Sequence, residues 1–522
     1  MKLESYVEGR WQAGAAEGRP LVDPVNGEVL GHVDATGIDG AAALAHARDV
    51  GGPALRALTF AERGGLLRAI ADTLTANREA YGEIARRNSG STALDASVDI
   101  DGGIVTLKVY ARYGKDLGDK RMVVEPGSVQ LAKEDVFRAR HFWTTLPGAA
   151  LHINAFNFPS WGLWEKVSVA FLAGVPAVAK PASATAWLAH QMVRDVVAAG
   201  ILPEGALSIV CGSGEGLLDG LRPNDALSFT GSADTALTLR THRNVLASAP
   251  RINIEADSIN ATILGPDAKP GDPVFDLLVR EVMNGFTIKA GQMCTNIRRI
   301  LVPAERLGAV RDALAEKMAK VKVGDPAGES VRMGPLVSKS QQAAAFSGIE
   351  ALKADAKIVS GGGVPDALAG GDRDKGAFLA PTLLECADPD KGKAVHEIEV
   401  FGPAATLMPY RDGSHAAQLA NRGGGSLAVS LFSDDADFTV ATVAAIAPAH
   451  GRIMTVDETV GKNHTGHQMA LAHCVHGGPG RAGGGEELGG LRGLRFYMQR
   501  SAVQGDPALI DRLAAESIEA AL

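Results

Sequence analysis

Cysteine is scarce in this chain, and its spacing argues against two classes of protein. The 522 residues contain four cysteines, Cys211, Cys294, Cys386 and Cys474, and none of them forms a Cys-x-x-Cys pair. Disulfide scaffolds and thiolate zinc cages need cysteines that are numerous or closely spaced. We therefore expect neither, and a single functional thiol is the use of cysteine left to consider.

Long apolar runs and basic clusters are also missing. No stretch is long and charge-free enough to span a bilayer, and the first residues lack the apolar core of a signal peptide. The 52 Lys and Arg against 60 Asp and Glu leave a net charge of -8, with no basic stripe for a phosphate backbone. We expect no membrane, no nucleic-acid partner and a cytoplasmic location.

What the chain does contain is the alternation of helices and strands that is typical of α/β proteins. Helical periodicity covers about residues 40 to 90. Apolar runs that alternate with helical segments begin at Ala149, Val175, Leu207, Ala226 and Ala261. This spacing predicts a parallel, doubly wound sheet, which binds ligands at the carboxyl ends of its strands.

A second α/β unit is predicted after Cys294, because a chain of this length exceeds a single hydrophobic core. It begins with a strand from Arg298, followed by a helix from Leu307 to Lys320. Strand-like segments also occupy 120–147 and the stretch that starts at Leu494. The glycine-rich segment 477–490 is predicted to be an ordered loop rather than a linker, since charged residues interrupt its glycines.

Three polar side chains suit nucleophilic chemistry. Cys294 lies between small and polar residues, whereas Glu255 and Asn157 each follow an apolar strand. A thiolate attacks carbonyl carbons, a carboxylate accepts protons and an amide donates to an oxyanion. Taken one at a time, each has a plainer interpretation: a buried small apolar residue, a solvated acid and a turn-forming asparagine.

Two further positions suit a bound nucleotide. Lys180 ends an apolar strand, at the sheet edge where nucleotides bind. Gly231 and Ser232 form a strand-to-helix turn of the kind that presents backbone amides to an anion. A surface lysine and an ordinary glycine turn are the alternatives.

Six segments resemble, in order, motifs of the aldehyde dehydrogenase superfamily. They are Phe156-Asn-Phe-Pro, Ala179-Lys-Pro-Ala, Phe229-Thr-Gly-Ser, Ile254-Glu-Ala-Asp-Ser-Ile-Asn, Gly291-Gln-Met-Cys and Glu399-Val-Phe-Gly-Pro. The matches span almost the whole chain, so they are far more specific than any single residue above. The resemblance implies that family's α/β fold, with a Rossmann-like cofactor domain, an α/β catalytic domain and a small β oligomerisation segment.

On this resemblance we expect three structural parts and a homodimer. The NAD(P)-binding domain comprises 1–119 and 148–257, the catalytic domain 258–476, and the oligomerisation segments 120–147 and 490–505.

The resemblance also implies a mechanism for oxidising an aldehyde to an acid. Cys294 attacks the aldehyde carbon, and Asn157 with the Cys294 backbone amide holds the oxyanion. Hydride then passes to the nicotinamide and leaves a thioester, which Glu255 hydrolyses by activating water. Lys166 is expected to relay that proton.

The same resemblance supplies a set of cofactor contacts. The expected residues are Phe156, Lys180, Ala182, Ser183, Gly231, Ser232, Glu399 and Phe401. Ser183 stands where NAD-preferring relatives often carry a glutamate, which would repel a ribose 2'-phosphate. We therefore expect NADP, with NAD as the alternative.

Other segments depart from the superfamily and resemble one branch of it. Asp257-Ser, Ala236 and Glu486 are unusual, whereas the segments around Asn154 and Thr465 resemble the semialdehyde dehydrogenases of aerobic CoA-dependent benzoate and phenylacetate degradation. The implied substrate is an aliphatic semialdehyde that carries a CoA thioester, either 3,4-dehydroadipyl-CoA semialdehyde or 3-oxo-5,6-dehydrosuberyl-CoA semialdehyde. The expected substrate contacts are Phe158, Trp161, Glu165, Met293, Thr295 and His476.

Other functions remain open at this point. A Cys-nucleophile acyltransferase or thioesterase would need no nucleotide, and an acylating dehydrogenase would release its acyl group to CoA instead of water. The histidines His464, His467, His473 and His476 suggest a metal. We expect none, since zinc sites need three or four converging ligands with further support that the sequence does not show.

Overall fold

The computed structural model describes residues 1–214, 216–461 and 463–522, and it confirms the α/β class. The α-helices are Gly40–His46, Gly52–Ala57, Phe60–Ala76, Arg78–Ser89, Ala93–Leu117, Trp161–Ala173, Ala186–Ala198, Ala233–Thr241, Arg243–Ser248, Pro273–Thr287, Leu307–Met318, Lys339–Leu352, Ala394–Glu397, Gly413–Asn421, Ala436–Ile446 and Pro507–Ala515. Within the described residues, none of these helices is both long and apolar enough to cross a membrane.

The first large sheet carries the predicted doubly wound topology. Its strands in spatial order are Arg251–Glu255, Ala226–Thr230, Ala150–Ile153, Ala177–Lys180, Leu207–Ile209, Ser5–Val7 and Arg10–Gln12. The first five strands of this series pair in parallel, and the last two are antiparallel. Chain order reverses between Ala150–Ile153 and Ala226–Thr230, and such reversals leave a ligand-binding crevice at the carboxyl ends of the strands.

The second large sheet forms the core of the other α/β unit. Its strands in spatial order are Lys357–Ser360, Thr382–Glu385, Ala404–Tyr410, Ile297–Pro303, Asn260–Leu264, Ser426–Phe432 and His450–Val456. All pairs except the first are parallel. Ser426–Phe432 is buried along its whole length, as expected for a parallel strand that is covered on both faces.

Three smaller sheets complete the structure. The largest has Met498–Gly505, Arg138–Thr145, Val123–Val124 and Ile518–Glu519 in spatial order, and Val129–Gln130 pairs with Arg138–Thr145. Another sheet contains Lys2–Leu3, Val29–Val33 and Arg19–Val22. The last is the pair Val475–Gly477 and Glu486–Leu488, so the glycine-rich segment between them is the loop of an ordered hairpin.

Two expectations about strands are wrong. The run at Ala261 lies in the second large sheet rather than the first, where it pairs with Ile297–Pro303 and Ser426–Phe432. The stretch from Leu494 is a 3-10 helix, Gly490–Tyr497, and its strand starts only at Met498. Short apolar runs do not identify the sheet that they join, because pairing partners are chosen by tertiary packing.

The helix Trp161–Ala173 links the first sheet to the functional region. Almost all of it is buried, and Trp164 is fully enclosed. It packs against the long helix Ala93–Leu117, which begins with a capping box between Thr92 and Asp95. A helix that is apolar all round belongs in a protein interior. The two charged residues on this helix, Glu165 and Lys166, are therefore buried with it.

Arg299, on the strand Ile297–Pro303, binds the segment before the neighbouring strand and the end of the helix Gly413–Asn421. Its side chain is 0% exposed and donates to the carbonyl oxygens of Ile259, Leu419 and Ala420 at 2.8, 2.6 and 2.8 Å. Burial, followed by the charges of nearby arginines, lowers its pKa to about 9. The guanidinium satisfies the carbonyl oxygens of Ile259 and Leu419 and adds a donor to that of Ala420, which also accepts from the Gly423 amide.

We predict that Arg299→Met destabilises the protein by about 3 kcal/mol, because it removes a charged donor from each of three carbonyl oxygens. Urea unfolding followed by tryptophan fluorescence measures the change. The control is Arg311→Met, which removes an arginine whose partners Asp312 and Glu385 lie at the surface. Equal midpoints for Arg299→Met and the control would contradict the proposed role of Arg299.

Candidate active site

Cys294 follows a tightly turned segment of backbone. Lys289, Ala290 and Gly291 all have positive φ angles, of 49°, 49° and 69°. A Cβ at Gly291 would lie 2.3 Å from the carbonyl oxygen of Gly402, so only glycine fits there. Two non-glycine residues in this conformation are costly, and the surrounding structure has to hold them in place.

Two buried side chains hold that segment from both ends. The Asn260 side-chain amide donates to the carbonyl oxygens of Cys294 and Asn296 at 2.8 and 2.9 Å. Arg298 donates to the carbonyl oxygens of Gly291 and Met293 at 3.2 and 3.1 Å. The thiol is thus presented by a backbone whose polar groups are bound by side chains.

Three functional side chains meet at this thiol. His476 Nε2 lies 2.9 Å from Glu255 Oε2 and 3.9 Å from Cys294 Sγ. One ligand-type atom from each of the three residues falls within 4.8 Å of the others. Glu255 is 1% exposed and His476 6% exposed, while Cys294 is half-buried. The predicted nucleophile and base are therefore adjacent, and a histidine that we expected only to contact substrate joins them.

Burial and charge act in opposite directions on these groups. Burial and then the charge of Glu255 raise the pKa of Cys294 to about 12. Burial also favours the neutral form of Glu255, but His476 and Lys166 outweigh it and hold the pKa of Glu255 below its usual value. The pKa of His476 is raised well above its ordinary value, because Glu255 overcomes the effect of burial. The resting site is therefore a neutral thiol beside an ion pair.

A second group of charges lies behind the cavity. Lys166 Nζ is 3.2 Å from both Glu165 Oε1 and Glu487 Oε2, and donates to Thr230 Oγ1 at 2.9 Å. Burial would lower the pKa of Lys166, but Glu487 and Glu165 raise it further than burial lowers it. Burial raises the pKa of Glu165. Lys166 thus stays protonated, while Glu165 is suited to carry a proton.

The cavity beside the thiol contains most of the predicted substrate residues. The predicted residues that line it are Asn157, Phe158, Trp161, Glu165, Glu255, Cys294, Thr295 and His476. Met293 does not line it. The Met293 side chain is 1% exposed and is buried outside the cavity wall. Lys166 lies one layer behind this wall, beside Glu165.

A larger cleft opens on the other side of the thiol. It has a volume of about 700 Å³ and also reaches Asn157, Glu255 and Cys294. Every predicted cofactor residue lines it: Phe156, Lys180, Ala182, Ser183, Gly231, Ser232, Glu399 and Phe401. The cleft lies at the strand-order reversal of the first sheet, where such folds bind nucleotides. Cys294 and Glu255 are thus shared between the cavity and the cleft.

One end of the cleft offers a free carboxylate oxygen and aromatic rings. Glu399 Oε1 is buried without a hydrogen-bond donor among the described residues, although Arg298 approaches it at 3.5 Å. Burial raises the pKa of Glu399 to about 8 against the opposing charge of Arg298. The rings of Phe156 and Phe401 meet edge to face at 5.6 Å. An acceptor beside aromatic walls suits ribose hydroxyls and a nicotinamide ring, so these residues fit the expected cofactor.

Another part of the cleft contains two cations. Arg19 and Lys180 both line it, and they lie close enough for the charge of Arg19, added to burial, to lower the pKa of Lys180. Ser183 follows Lys180 and donates to the carbonyl oxygen of Gly212 at 3.3 Å. Ser232 caps the helix Ala233–Thr241 and accepts from the Thr235 amide. These groups suit an anionic ligand.

The four histidines do not form a shared cluster. His467 contacts Ser430 Oγ at 2.8 Å, His464 approaches Arg280 and His473 packs against Tyr113. His476 alone of the four faces the thiol. The distances between His476, Glu255 and Cys294 would also suit a metal ion. The His476–Glu255 ion pair and the expected role of Cys294 explain why the three side chains lie together without one.

Comparison with known proteins agrees with this geometry. The aldehyde dehydrogenase family model matches residues 11–503. The chain belongs to the aldehyde dehydrogenase family. It is 55% identical over 482 residues to 3,4-dehydroadipyl-CoA semialdehyde dehydrogenase of Aromatoleum evansii, covering 92% of this chain and 93% of that protein. The expected family and enzyme class are confirmed.

Solved structures show the same fold. Betaine aldehyde dehydrogenase of Staphylococcus aureus in complex with NAD+ has a TM-score of 0.84 and 25% identity, covering 97% of this chain and 95% of that one. PnpE in complex with nicotinamide adenine dinucleotide has a TM-score of 0.83 and 22% identity, covering 97% and 98%. The expected aldehyde dehydrogenase fold is confirmed.

Sequence reasoning missed several residues of this aldehyde dehydrogenase site. Glu487 was noticed only as a charge within the glycine-rich segment, yet it contacts Lys166 and accepts from Asn253 at 2.8 Å. Arg298 was assigned to a strand, and Arg19 was not considered. An arginine or glutamate that ends or precedes an apolar strand is a weak signal, because most such residues are solvated.

We predict that Lys166→Met destabilises the dehydrogenase by about 3 kcal/mol, because it leaves Glu165 and Glu487 buried without their shared cation. The loss is larger at pH 8 than at pH 5. The pKa of Glu165 is already raised above its ordinary 4.5, and the variant raises it further. Stability is therefore lost as the pH rises through that value and the buried acid must ionise.

Urea midpoints at the two pH values measure this effect. Lys320→Met is the control, since Lys320 pairs with Glu316 on an exposed helix face. A Lys166→Met loss that is the same at both pH values would show that the carboxylates do not depend on this ammonium.

Proposed function

We propose that this aldehyde dehydrogenase oxidises a CoA-linked aliphatic semialdehyde to the acid, with NADP as hydride acceptor. The observation that carries the proposal is the shared position of Cys294 and Glu255, which line both the cavity and the cofactor cleft. A thiol adduct formed there has the hydride acceptor on one side and the substrate chain on the other.

The first step forms a bond between Cys294 sulfur and the aldehyde carbon. With a thiol pKa raised to about 12 by burial and Glu255, the proton must pass to a base as sulfur attacks. Glu255 is ionised and close enough to accept it. The Asn157 amide and the Cys294 backbone N–H are the donors for the oxyanion of the thiohemiacetal.

The second step completes the oxidation and releases the acid. The nicotinamide, when bound, accepts the hydride and a thioester remains on Cys294. Glu255 then removes a proton from the attacking water. Because Lys166 is held protonated, we assign onward proton transfer to the neighbouring Glu165 rather than to the ammonium that we first expected to relay it.

The CoA-linked substrate is supported by the relative from Aromatoleum evansii and by polar cavity walls. That protein acts on 3,4-dehydroadipyl-CoA semialdehyde and shares 55% of its residues with this chain over 482 positions. Glu165 and His476 line the cavity, where the family resemblance leads us to expect aromatic residues in enzymes for simple aldehydes. We propose 3,4-dehydroadipyl-CoA semialdehyde as the substrate, with 3-oxo-5,6-dehydrosuberyl-CoA semialdehyde as the alternative.

A homodimer is proposed on the small sheet. Its edge strand Met498–Gly505 is mostly exposed, and the adjacent segment exposes Val129, Leu131, Val136 and Phe137. Apolar side chains grouped at an open sheet edge are typical of a surface that a second copy covers.

We predict NADPH formation at 340 nm with both CoA semialdehydes, and a kcat/KM at least about tenfold above that for hexanal, a difference of about 1.4 kcal/mol in transition-state binding. Cys294→Ala abolishes it. The product is the free acid without added CoA, as hydrolysis through Glu255 requires.

Other outcomes identify the competing functions. Equal kcat/KM for hexanal and the CoA semialdehydes would contradict the proposed CoA-linked substrate. A product that forms only when CoA is added would indicate an acylating dehydrogenase. Thioester cleavage without any NADPH would indicate a thioesterase or acyltransferase.

We predict that Ser183→Glu lowers kcat/KM with NADP at least about tenfold and changes the value with NAD little. The added carboxylate would face the 2'-phosphate between Arg19 and Lys180, where a like charge repels it. Ser183→Ala is the control, because it removes the hydroxyl without adding charge. An unchanged NADP to NAD ratio in Ser183→Glu would contradict the preference.

A further inference from the structure

His476 occupies a fixed place in the hairpin above the catalytic cavity. It lies on the strand Val475–Gly477 and pairs directly with Glu487 on the strand Glu486–Leu488. Glu487 is itself held, because its Oε1 accepts from Asn253 at 2.8 Å. The position of the imidazole is therefore set by a strand pair rather than by a free loop.

One ring nitrogen of His476 faces both reacting residues. Nε2 is 2.9 Å from Glu255 Oε2 and 3.9 Å from Cys294 Sγ. The side chains of His476 and Glu255 are only 8% and 2% exposed.

The two acidic groups have an electrostatic problem that this imidazole solves. Glu255 must be ionised to take the thiol proton, so the negative charge moves from Glu255 to Cys294 as sulfur attacks, between atoms that lie within 4.8 Å of each other. A negative charge in a buried site is costly on either atom unless a cation lies beside it. A cation near both atoms lowers that cost throughout the transfer.

Lys166 does not meet this need. Its ammonium contacts Glu165, Glu487 and Thr230 instead of the thiol. Among the residues that the structure describes, His476 is the cationic side chain within 4 Å of Glu255.

We infer that His476 is a positioning residue of this reaction, whose imidazolium holds the Glu255 carboxylate beside the Cys294 thiol and stabilises the negative charge as it passes from one to the other. The inference rests on the proposed roles of Cys294 and Glu255. His476 keeps its own proton throughout. The thiol proton moves to Glu255 as the carbon–sulfur bond forms, and later the proton of the attacking water moves to Glu255.

Removing the imidazolium should shift the ionisation of the neighbouring acids in one direction. The titratable groups that face His476 are Glu255, Cys294 and Glu165, with Glu487 opposite it in the hairpin. All are acids, so loss of the cation raises the pH at which Glu255 and then Cys294 ionise. Both the alkylation of the thiol and the acidic limb of kcat then shift to higher pH.

The test compares His476→Gln and His476→Phe with wild type. Iodoacetamide alkylation of Cys294 is followed across pH by peptide mass spectrometry, because Cys474 is also exposed. We expect both profiles to shift upward by at least about one pH unit, so that alkylation at pH 8 is about tenfold slower. Glutamine keeps polarity without charge, so it should not restore the wild-type profile.

His473→Phe is the matched control, since His473 lies exposed on the same segment and packs against the Tyr113 ring. It should retain wild-type profiles. Selective ¹⁵N-histidine NMR of the unaltered protein gives a second measurement that does not depend on variant folding. It should show a histidine that is still doubly protonated at pH 8, and the absence of any such signal would overturn the inference.

Variant profiles that coincide with wild type, with a change only in KM for the aldehyde, would show that His476 is merely a wall of the cavity. Alkylation needs neither aldehyde nor NADP. A shifted alkylation profile in a protein that forms no NADPH would therefore refute the proposed function, while the effect of the His476 charge on the Cys294 thiol would still be shown.

Discussion

The Glu255 carboxylate and the Cys294 thiol share one cavity, and the surrounding charged groups compensate for the burial of that carboxylate. Glu255 is 1% exposed, and a buried charge persists only when other charges and donors compensate for lost water. His476 compensates at the thiol and Lys166 from behind. Lys166 in turn needs Glu165 and Glu487. The polar groups form a connected series inside an otherwise apolar region.

The backbone around Cys294 meets a related constraint. A sulfur that must face two compartments needs a sharp turn, and the positive φ angles of Lys289 and Ala290 produce it. Asn260 and Arg298 compensate by binding the carbonyl oxygens of the turn. Arg298 also approaches Glu399 in the cofactor cleft. One guanidinium therefore contacts both the segment before Cys294 and a residue of the larger cleft.

Much of the fold and site followed from local pattern. Glu255 and Lys180 were predicted at strand ends because a sheet's ligands meet there, and both do end strands. The errors arose where only packing decides. The run at Ala261 joined another sheet, Met293 is buried outside the cavity wall, and Glu487 reached the site from a distant hairpin.

By itself the sequence determined the α/β class, the family and the chemical types available: a thiol, a carboxylate, an amide and a nucleotide cleft. The sequence contains this information because each motif consists of residues that lie within a few positions of one another. The tertiary structure alone decided that His476 lies between Glu255 and Cys294, and that Lys166 is fully paired. Charge states depend on distance and burial, and for residues far apart in the chain both are set only when the sheets and the hairpin pack together.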